Sequence, residues 1–297
     1  MIVNSTVCVV GSINMDLTIA ADTMPMKGET VMGGEFATYP GGKGANQAVA
    51  AARLGSAVNM IGAVGNDSFG STLIDHLQLE GINAEGIVTL SDVSTGLANI
   101  IVSEGDNRII VASGANRLVT PAHVKKHKKL IENSDIVLLQ LEIPMETVIS
   151  TLTIANEYGI PVIVNPAPYQ QLPDLVLTGS TFLTPNEIEV QTMKNTPRFA
   201  SIQEKVIVTQ GERGVQFYDR GVSRYLPSHQ VAVKDTTGAG DTFNGALASQ
   251  LGGKVQLARA IQYANAAAAL SVTKVGAQGG MPTGQEVEQF ILEGTVS

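Results

Sequence analysis

Ile136-Val137-Leu138-Leu139-Gln140-Leu141 is apolar at every position except Gln140. A strand with one face in water alternates apolar and polar residues, so an unbroken run fits a strand covered on both faces, as in a mostly parallel sheet between helical layers. The run ends in Glu142. Downstream, a helix over 145–158 leads to a second apolar strand, Pro161-Val162-Ile163-Val164, which delivers Asn165. A third strand over 180–183 delivers Thr184-Pro185-Asn186-Glu187-Ile188-Glu189. Upstream, Thr6-Val7-Cys8-Val9-Val10 opens through Gly11-Ser12 into a loop carrying Asn14 and Asp16. A strand over 58–64, a helix over 69–80 and a helix over 121–131, with Thr120 as cap and Pro121 in its first turn, continue the rhythm. The expected fold class is α/β, a three-layer, predominantly parallel sheet with helices on both faces. Ligands of such sheets sit beyond the C-terminal ends of the strands, where these polar residues gather.

The chain of 297 residues, 44% hydrophobic and 15% charged, suits one large α/β domain over 1–297 with an appendage. A net charge of −8 argues against a nucleic-acid surface, and no segment approaches the apolar length of a membrane span. Lys125, Lys126, Lys128 and Lys129 read as the solvated face of one helix. Cys8 is expected as a small buried hydrophobe, and the start Met1-Ile2-Val3-Asn4 lacks signal-peptide features, so a cytoplasmic location is expected. His76, His123, His127 and His229 have no metal-ligand spacing; no zinc is expected, and the first three are expected on the surface.

Two stretches break the rhythm. Short alternating pieces over about 17–39, punctuated by Pro25, Gly28, Gly33 and Gly34, read as β-ribbon, and 95–112 reads as a hairpin turning at Glu104-Gly105-Asp106-Asn107. Together they are expected to form one small sheet that covers a site or pairs with another subunit, since so few strands cannot bury both faces alone.

Two glycine-rich stretches open helices. In Lys234-Asp235-Thr236-Thr237-Gly238-Ala239-Gly240-Asp241-Thr242-Phe243-Asn244-Gly245, helical spacing follows the glycines, so free amides at a helix N-terminus face the turn. A carboxylate there would repel a bound phosphate unless the two react. The amides of Gly238, Ala239 and Gly240 are read as holding a transferring phosphoryl group while Asp241 takes a proton from the attacking hydroxyl; Asp241 could equally be a plain helix cap. Pro40-Gly41-Gly42-Lys43-Gly44-Ala45-Asn46-Gln47 leads into an alanine-rich helix stopping at Gly55. Lacking Ser or Thr after Lys43 it is no Walker motif; Gly42 and Asn46 are read as hydroxyl ligands and Lys43 as an ion-pair partner of the turn, with close helix packing as the other use of the glycines. A strand over 206–209 enters the turn Gln210-Gly211-Glu212-Arg213-Gly214, and no dinucleotide fingerprint occurs. Asn265 stands among alanines in a helix over 257–272, open to a planar ring, and the loop 273–280 with Asp235 could hold a monovalent cation.

These separated motifs, in this order and nearly end to end, resemble the ribokinase-like carbohydrate kinase family. Gly11 to Asp16 and Gly41 to Gln47 resemble its sugar-binding segments, and Leu141-Glu142 its sugar-contacting glutamate. Asn186 to Glu189 resembles its Asn-x-x-Glu motif serving phosphates and Mg²⁺; Thr209, Gly211, Gly214 and Asn265 fall where it holds ATP; and Gly238 to Asp241 matches its anion hole and base. The resemblance implies transfer of the ATP γ-phosphate to O5 of D-ribose, a lid shared in a homodimer, and activation by K⁺ held by Asp235, Thr237, Ser271, Lys274, Gly276 and Gly280. A sibling acting on a nucleoside, fructose or another sugar is the nearest alternative, although the chain has no Trp to stack a base. A silent sugar sensor is the alternative of another class. Between Asn186 and Thr209 the chain is shorter than this family leads one to expect.

Overall fold

The computed structural model describes residues 4–103 and 106–294. The start Met1-Ile2-Val3 and the turn residues Glu104-Gly105 lie outside the described residues. The main sheet has six parallel strands in the order β10-β9-β8-β1-β4-β5. They are β1 (Thr6–Val10), β4 (Ala57–Gly65), β5 (Asn83–Leu90), β8 (Ile136–Leu139), β9 (Val162–Val164) and β10 (Phe182–Leu183). The short strands β8 and β9 are fully buried, as their unbroken apolar runs require. The strand β5 has a mixed burial pattern, and its one fully buried residue is Gly86, where an added Cβ would lie 2.5 Å from the Met60 carbonyl oxygen.

The pleat sorts each strand between two cores. Val7 and Val9 face one layer, formed by α1 (Lys43–Arg53), α2 (Ser68–Leu79), α9 (Ala239–Gly252) and α10 (Leu257–Ser271). Cys8 and Val10 face the other, formed by α3 (Pro121–Lys126), α4 (Lys128–Glu132), α5 (Met145–Glu157), α6 (Asp174–Gly179) and α7 (Glu187–Lys194). Side chains such as Ile61, Leu138 and Leu152 are below 2% exposed, each worth about 1.5–3 kcal/mol of burial. Cys8 is wholly buried, and burial pushes its thiol up to about 12. The helix expected over 121–131 is broken at His127. The four lysines are exposed as expected. His76, His123 and His127 are instead half-buried, and the first two are hydrogen-bonded, His123 to the Gly86 carbonyl at 2.8 Å.

A second sheet has four strands in the order β3-β2-β6-β7: β3 (Phe36–Gly41), β2 (Asn14–Ala20), β6 (Gly96–Ser103) and β7 (Asp106–Ala112). Register places Tyr39, Asp16, Ala98 and Val111 in one row on the same face as Asn14. A third, antiparallel sheet joins β11 (Val208–Thr209), β12 (Gly214–Asp219) and β13 (Val222–Pro227). The short region after α7 holds only α8 (Phe199–Ile202) and a turn of 3₁₀ helix, and α11 (Ala277–Gly280) and α12 (Gly284–Gly294) close the chain. Among the described residues no helix is long and apolar enough to cross a membrane.

Candidate active site

The N-terminus of α9 is entered through Gly238, whose φ of 78° is left-handed; a Cβ there would also lie 2.8 Å from Ala277 Cα. The Ala239 amide donates to Thr236 O at 3.3 Å, a long bond that leaves it only loosely engaged, and the space beside Gly240 is open. Asn244 in the next turn donates to Gly240 O at 2.8 Å and accepts from Thr184 Oγ1 at 2.6 Å, which ties this turn to the end of β10. Asp241 is 8% exposed, and its carboxylate accepts from Asn46 Nδ2 at 3.0 Å and Gln47 Nε2 at 2.9 Å. The two donors are consecutive residues near the start of α1, a helix that lies along α9. Gln47 is fully buried; its Nε2 also reaches Asn165 Oδ1 at 3.1 Å, and its Oε1 accepts from Gln140 Nε2 at 2.6 Å. Asn165, expected to face a ligand, therefore holds Gln47.

Glu142 is fixed from the same helix start: one carboxylate oxygen accepts from Ser12 Oγ at 2.5 Å and from the Lys43 amide at 3.1 Å. Asn14 is 3% exposed, and its Oδ1 accepts from Asn116 Nδ2 at 2.7 Å. Asn116 in turn exchanges hydrogen bonds with both backbone groups of Ile13. A Cβ on Gly41 would fall on the Asp16 carboxyl, so the bare backbone makes room for it, and Gly42 (φ 87°) brings the start of α1 to within van der Waals contact of β2. Burial, reinforced by the charges of Glu142 and Asp241 and opposed by Lys43, pushes Asp16 up to about 7. For Lys43, burial alone would lower its pKa, but Asp241, Glu142, Glu189 and Asp16 together raise it. The ammonium is thus the shared counter-charge of four carboxylates. Asn14 and Glu142 line a cleft of about 360 Å³ together with Asn116, Ser113, Arg117 and Val111 of β7.

On the other side, Asn186 and Glu189 form a reciprocal cap on α7, with Asn186 N to Glu189 Oε2 at 2.8 Å and Glu189 N to Asn186 Oδ1 at 2.9 Å. Burial raises the Glu189 pKa, against the Asn186 amide and Lys43. Thr209 bonds back to Pro185 O at 3.0 Å, which places the Gly211–Gly214 turn beside this cap. Asn265 donates to Pro227 O at 2.8 Å, clamping α10 to the end of β13. In the last loop, Asp235 accepts from the amides of Thr237 at 2.9 Å and Gly276 at 2.8 Å, bonds that hold it below the ordinary aspartate range although burial alone would raise it. Gly280 lies against Ser271, where a Cβ would come 2.3 Å from the Ser271 carbonyl oxygen. Lys274 points away, to Glu286 at 3.0 Å. The structure thus gathers Asp235, Thr237, Ser271, Gly276 and Gly280, while the Lys274 side chain leaves the group.

An open parallel sheet with its polar side chains collected beyond the strand ends is the frame of an α/β enzyme acting on a small ligand. Residues 4–284 match the model of the pfkB family carbohydrate kinases, and the chain belongs to that family. It is 43% identical over 289 residues to a ribokinase of Bacillus subtilis, covering 96% of this chain and 99% of the relative. Among solved structures, the ribokinase of Thermotoga maritima superposes with a TM-score of 0.88 at 35% identity, over 97% of this chain and 99% of the other. A ribokinase of Arabidopsis thaliana complexed with ribose and ATP superposes with a TM-score of 0.90 at 29% identity and the same coverage.

Proposed function

We propose that this chain transfers the γ-phosphate of ATP to O5 of D-ribose, giving ribose 5-phosphate and ADP. The observation that carries the proposal is the placement of the buried Asp241 carboxylate: it lies at the open start of α9 and is held by Asn46 and Gln47, whose helix start also fixes Glu142. Asn14, Asp16, Gly42, Asn46 and Glu142 orient the sugar, and Asp16 and Glu142 accept from its hydroxyls. As O5 attacks the γ-phosphorus its proton passes to Asp241, the O5–P bond forms, the bond to the bridging oxygen breaks and ADP departs. The amides of Gly238, Ala239 and Gly240 meet the charge on the moving phosphoryl oxygens, and Lys43 offsets the crowd of carboxylates.

Thr209, Gly211, Gly214 and Asn265 border the nucleotide in this reading. Mg²⁺ would screen the phosphate charge. Glu189 is 8% exposed with its pKa raised by burial, so it would gain from a nearby cation, and Asn186 holds it in place. K⁺ fits the last loop, because the absent Cβ of Gly280 leaves the Ser271 carbonyl approachable and Asp235 is held ionised alongside. The four-stranded sheet acts as a lid over the cleft and pairs with its counterpart in a homodimer, as its exposed Phe36, Ile109 and Ile110 suggest. A reducing cytoplasm suits the buried free thiol of Cys8.

The test is ADP release with ATP and Mg²⁺, with and without K⁺, over a panel of sugars and nucleosides. Ribose is expected to give the highest kcat/KM. A nucleoside that surpasses ribose would move the assignment to a nucleoside kinase, and ribose binding without ADP release would replace catalysis with a sensor role.

A further inference from the structure

Asp241 is not set by its own side chain alone. The Asn46 amide that reaches it is engaged at both ends: Nδ2 donates to Asp241 Oδ2 at 3.0 Å, and Oδ1 accepts from Gln278 Nε2 at 2.9 Å. Gln278, on α11, has its own Oε1 at 2.7 Å from His76 Nε2 on α2. The direction of every bond in this chain follows from its last member. An ionised carboxylate can only accept, so Asn46 must present its NH₂ to Asp241 and its oxygen to Gln278; Gln278 must then present its NH₂ to Asn46 and its oxygen to His76. The Nε2 of His76 must therefore carry a hydrogen. Gln278 is 6% exposed, and its backbone carbonyl is gripped by Arg53, whose guanidinium also takes Glu80 in two hydrogen bonds, at 2.9 and 2.6 Å. Both ends of Gln278 are thus held by groups of α1 and α2 that lie outside the sugar cleft.

We propose that Gln278, oriented by His76, is a positioning residue that fixes the Asn46 carboxamide with its N–H toward Asp241, and so sets the direction in which the base faces the sugar. Without Gln278, Asn46 Oδ1 loses its donor, so the buried carboxamide swings to find another partner and its N–H leaves the line to Asp241. The inference rests on the kinase reading above. It also links the base to the last loop, since Gln278 follows Gly276, whose amide is bound by Asp235.

The experiment measures kcat, ribose KM and Tm for Gln278→Met, Gln278→Glu, His76→Leu and His76→Gln. Gln278→Met keeps the volume and is expected to lower kcat about tenfold, within the ceiling set by loss of a general base, with a smaller rise in ribose KM and a Tm only a few degrees lower from the unpaired Asn46 oxygen. Gln278→Glu opposes an acceptor to Asn46 Oδ1 and is expected to fall further; if it does not fold, the Met variant carries the test. His76→Leu is expected to lose about threefold in kcat and His76→Gln, which can still donate, to recover most of it. A folded Gln278→Met enzyme with wild-type kcat would overturn the inference, as would losses that follow Tm or KM alone. Wild-type protein that releases no ADP with any sugar would instead overturn the kinase reading on which the inference stands.

Discussion

Where α1 meets α9, polar side chains are buried and answered: Asn46, Gln47, Asp241 and Gln278 are each 8% exposed or less, and each is tied to at least one of the others. The four-stranded sheet across the cleft is built the other way. Phe36, Ile109 and Ile110 are 62%, 53% and 68% exposed, and Val111 reaches the cleft wall from an edge strand. Apart from Gln140 Oε1, which has no partner among the described residues, the buried network of the seam is paired, and it has few low-energy arrangements, because breaking a bond leaves a desolvated group unpaired. Exposed apolar strands carry no such constraint and gain when something covers them. In the proposed mechanism geometry belongs to the helix seam and coverage to the sheet, and variants on each side should produce different kinds of defect.

The largest effect is expected at the seam. Asp241→Asn keeps the shape but removes the proposed proton acceptor, and kcat should fall on the order of 10²- to 10⁴-fold while ribose still binds. Turnover at the wild-type rate would break the assignment of chemistry to this seam. Next is Gly41→Ala, at the point where sheet and seam meet. The new methyl would occupy the position of the Asp16 carboxyl, so ribose KM should rise at least about tenfold with a smaller change in kcat, as expected when binding common to ground and transition states is removed. An unchanged KM would mean that Asp16 does not grip the sugar.

The pH dependence sharpens the same point. Asp16, raised from 3.8 to about 7, is largely protonated below neutrality in the free protein. If only the ionised form accepts two sugar hydroxyls, ribose KM should rise about tenfold between pH 8 and pH 6, and Asp16→Asn should flatten the profile at a high KM. The stability effect has the opposite sign. A carboxyl whose folded pKa exceeds its unfolded one favours the folded state at low pH and loses that contribution as pH climbs from about 4 to 7. Asp16→Asn should therefore raise the Tm of the ligand-free protein at pH 8 by several degrees, even as it weakens sugar binding. A lower Tm at pH 8 would show that Asp16 is not under this electrostatic load.

The same division governs what the amino-acid sequence reveals. The unbroken apolar run in β8 and the alternating pieces of β2 and β6 are local patterns, and they announce a covered parallel sheet and a separate ribbon. Asn14, Asp16, Lys43, Asn46, Glu142 and Asp241 stand beside glycines or strand ends, where caps and turns also use polar residues, and their gathering at one end of the sheet is what singles them out. Gln47, Gln140 and Gln278 also stand near glycines or a strand end, but like Asn116 and His76 they show no partner in the sequence. Gln47 reaches Asp241 across 194 residues and Gln278 reaches Asn46 across 232, and no periodicity encodes a contact of that span. His76 lies at an ordinary helical position, and only its contact with Gln278 of α11 at 2.7 Å shows that it is engaged. Asn265 has a contact that its alanine-rich surroundings do not announce: its amide donates to Pro227 O and ties α10 to the end of β13.

The smallest effect on chemistry is expected on the sheet. Ile110 is the most exposed apolar residue of β7, and register sets it in a row with Asn99, Leu17 and Thr38, on the face opposite Asp16. A charge there meets neither the sugar nor the base. If this face joins two copies of the chain, Ile110→Glu should convert a dimer to a monomer in sedimentation velocity, because an unpaired carboxylate in an apolar interface has a large desolvation cost. The monomer should keep kcat within about threefold of wild type, since the α1–α9 seam is untouched, while the uncovered sheet loses thermal stability. A variant that stays dimeric would place the interface elsewhere. A monomer with kcat reduced as far as in Asp241→Asn would erase the division between geometry and coverage, because the sheet would then be holding the base in place from across the cleft.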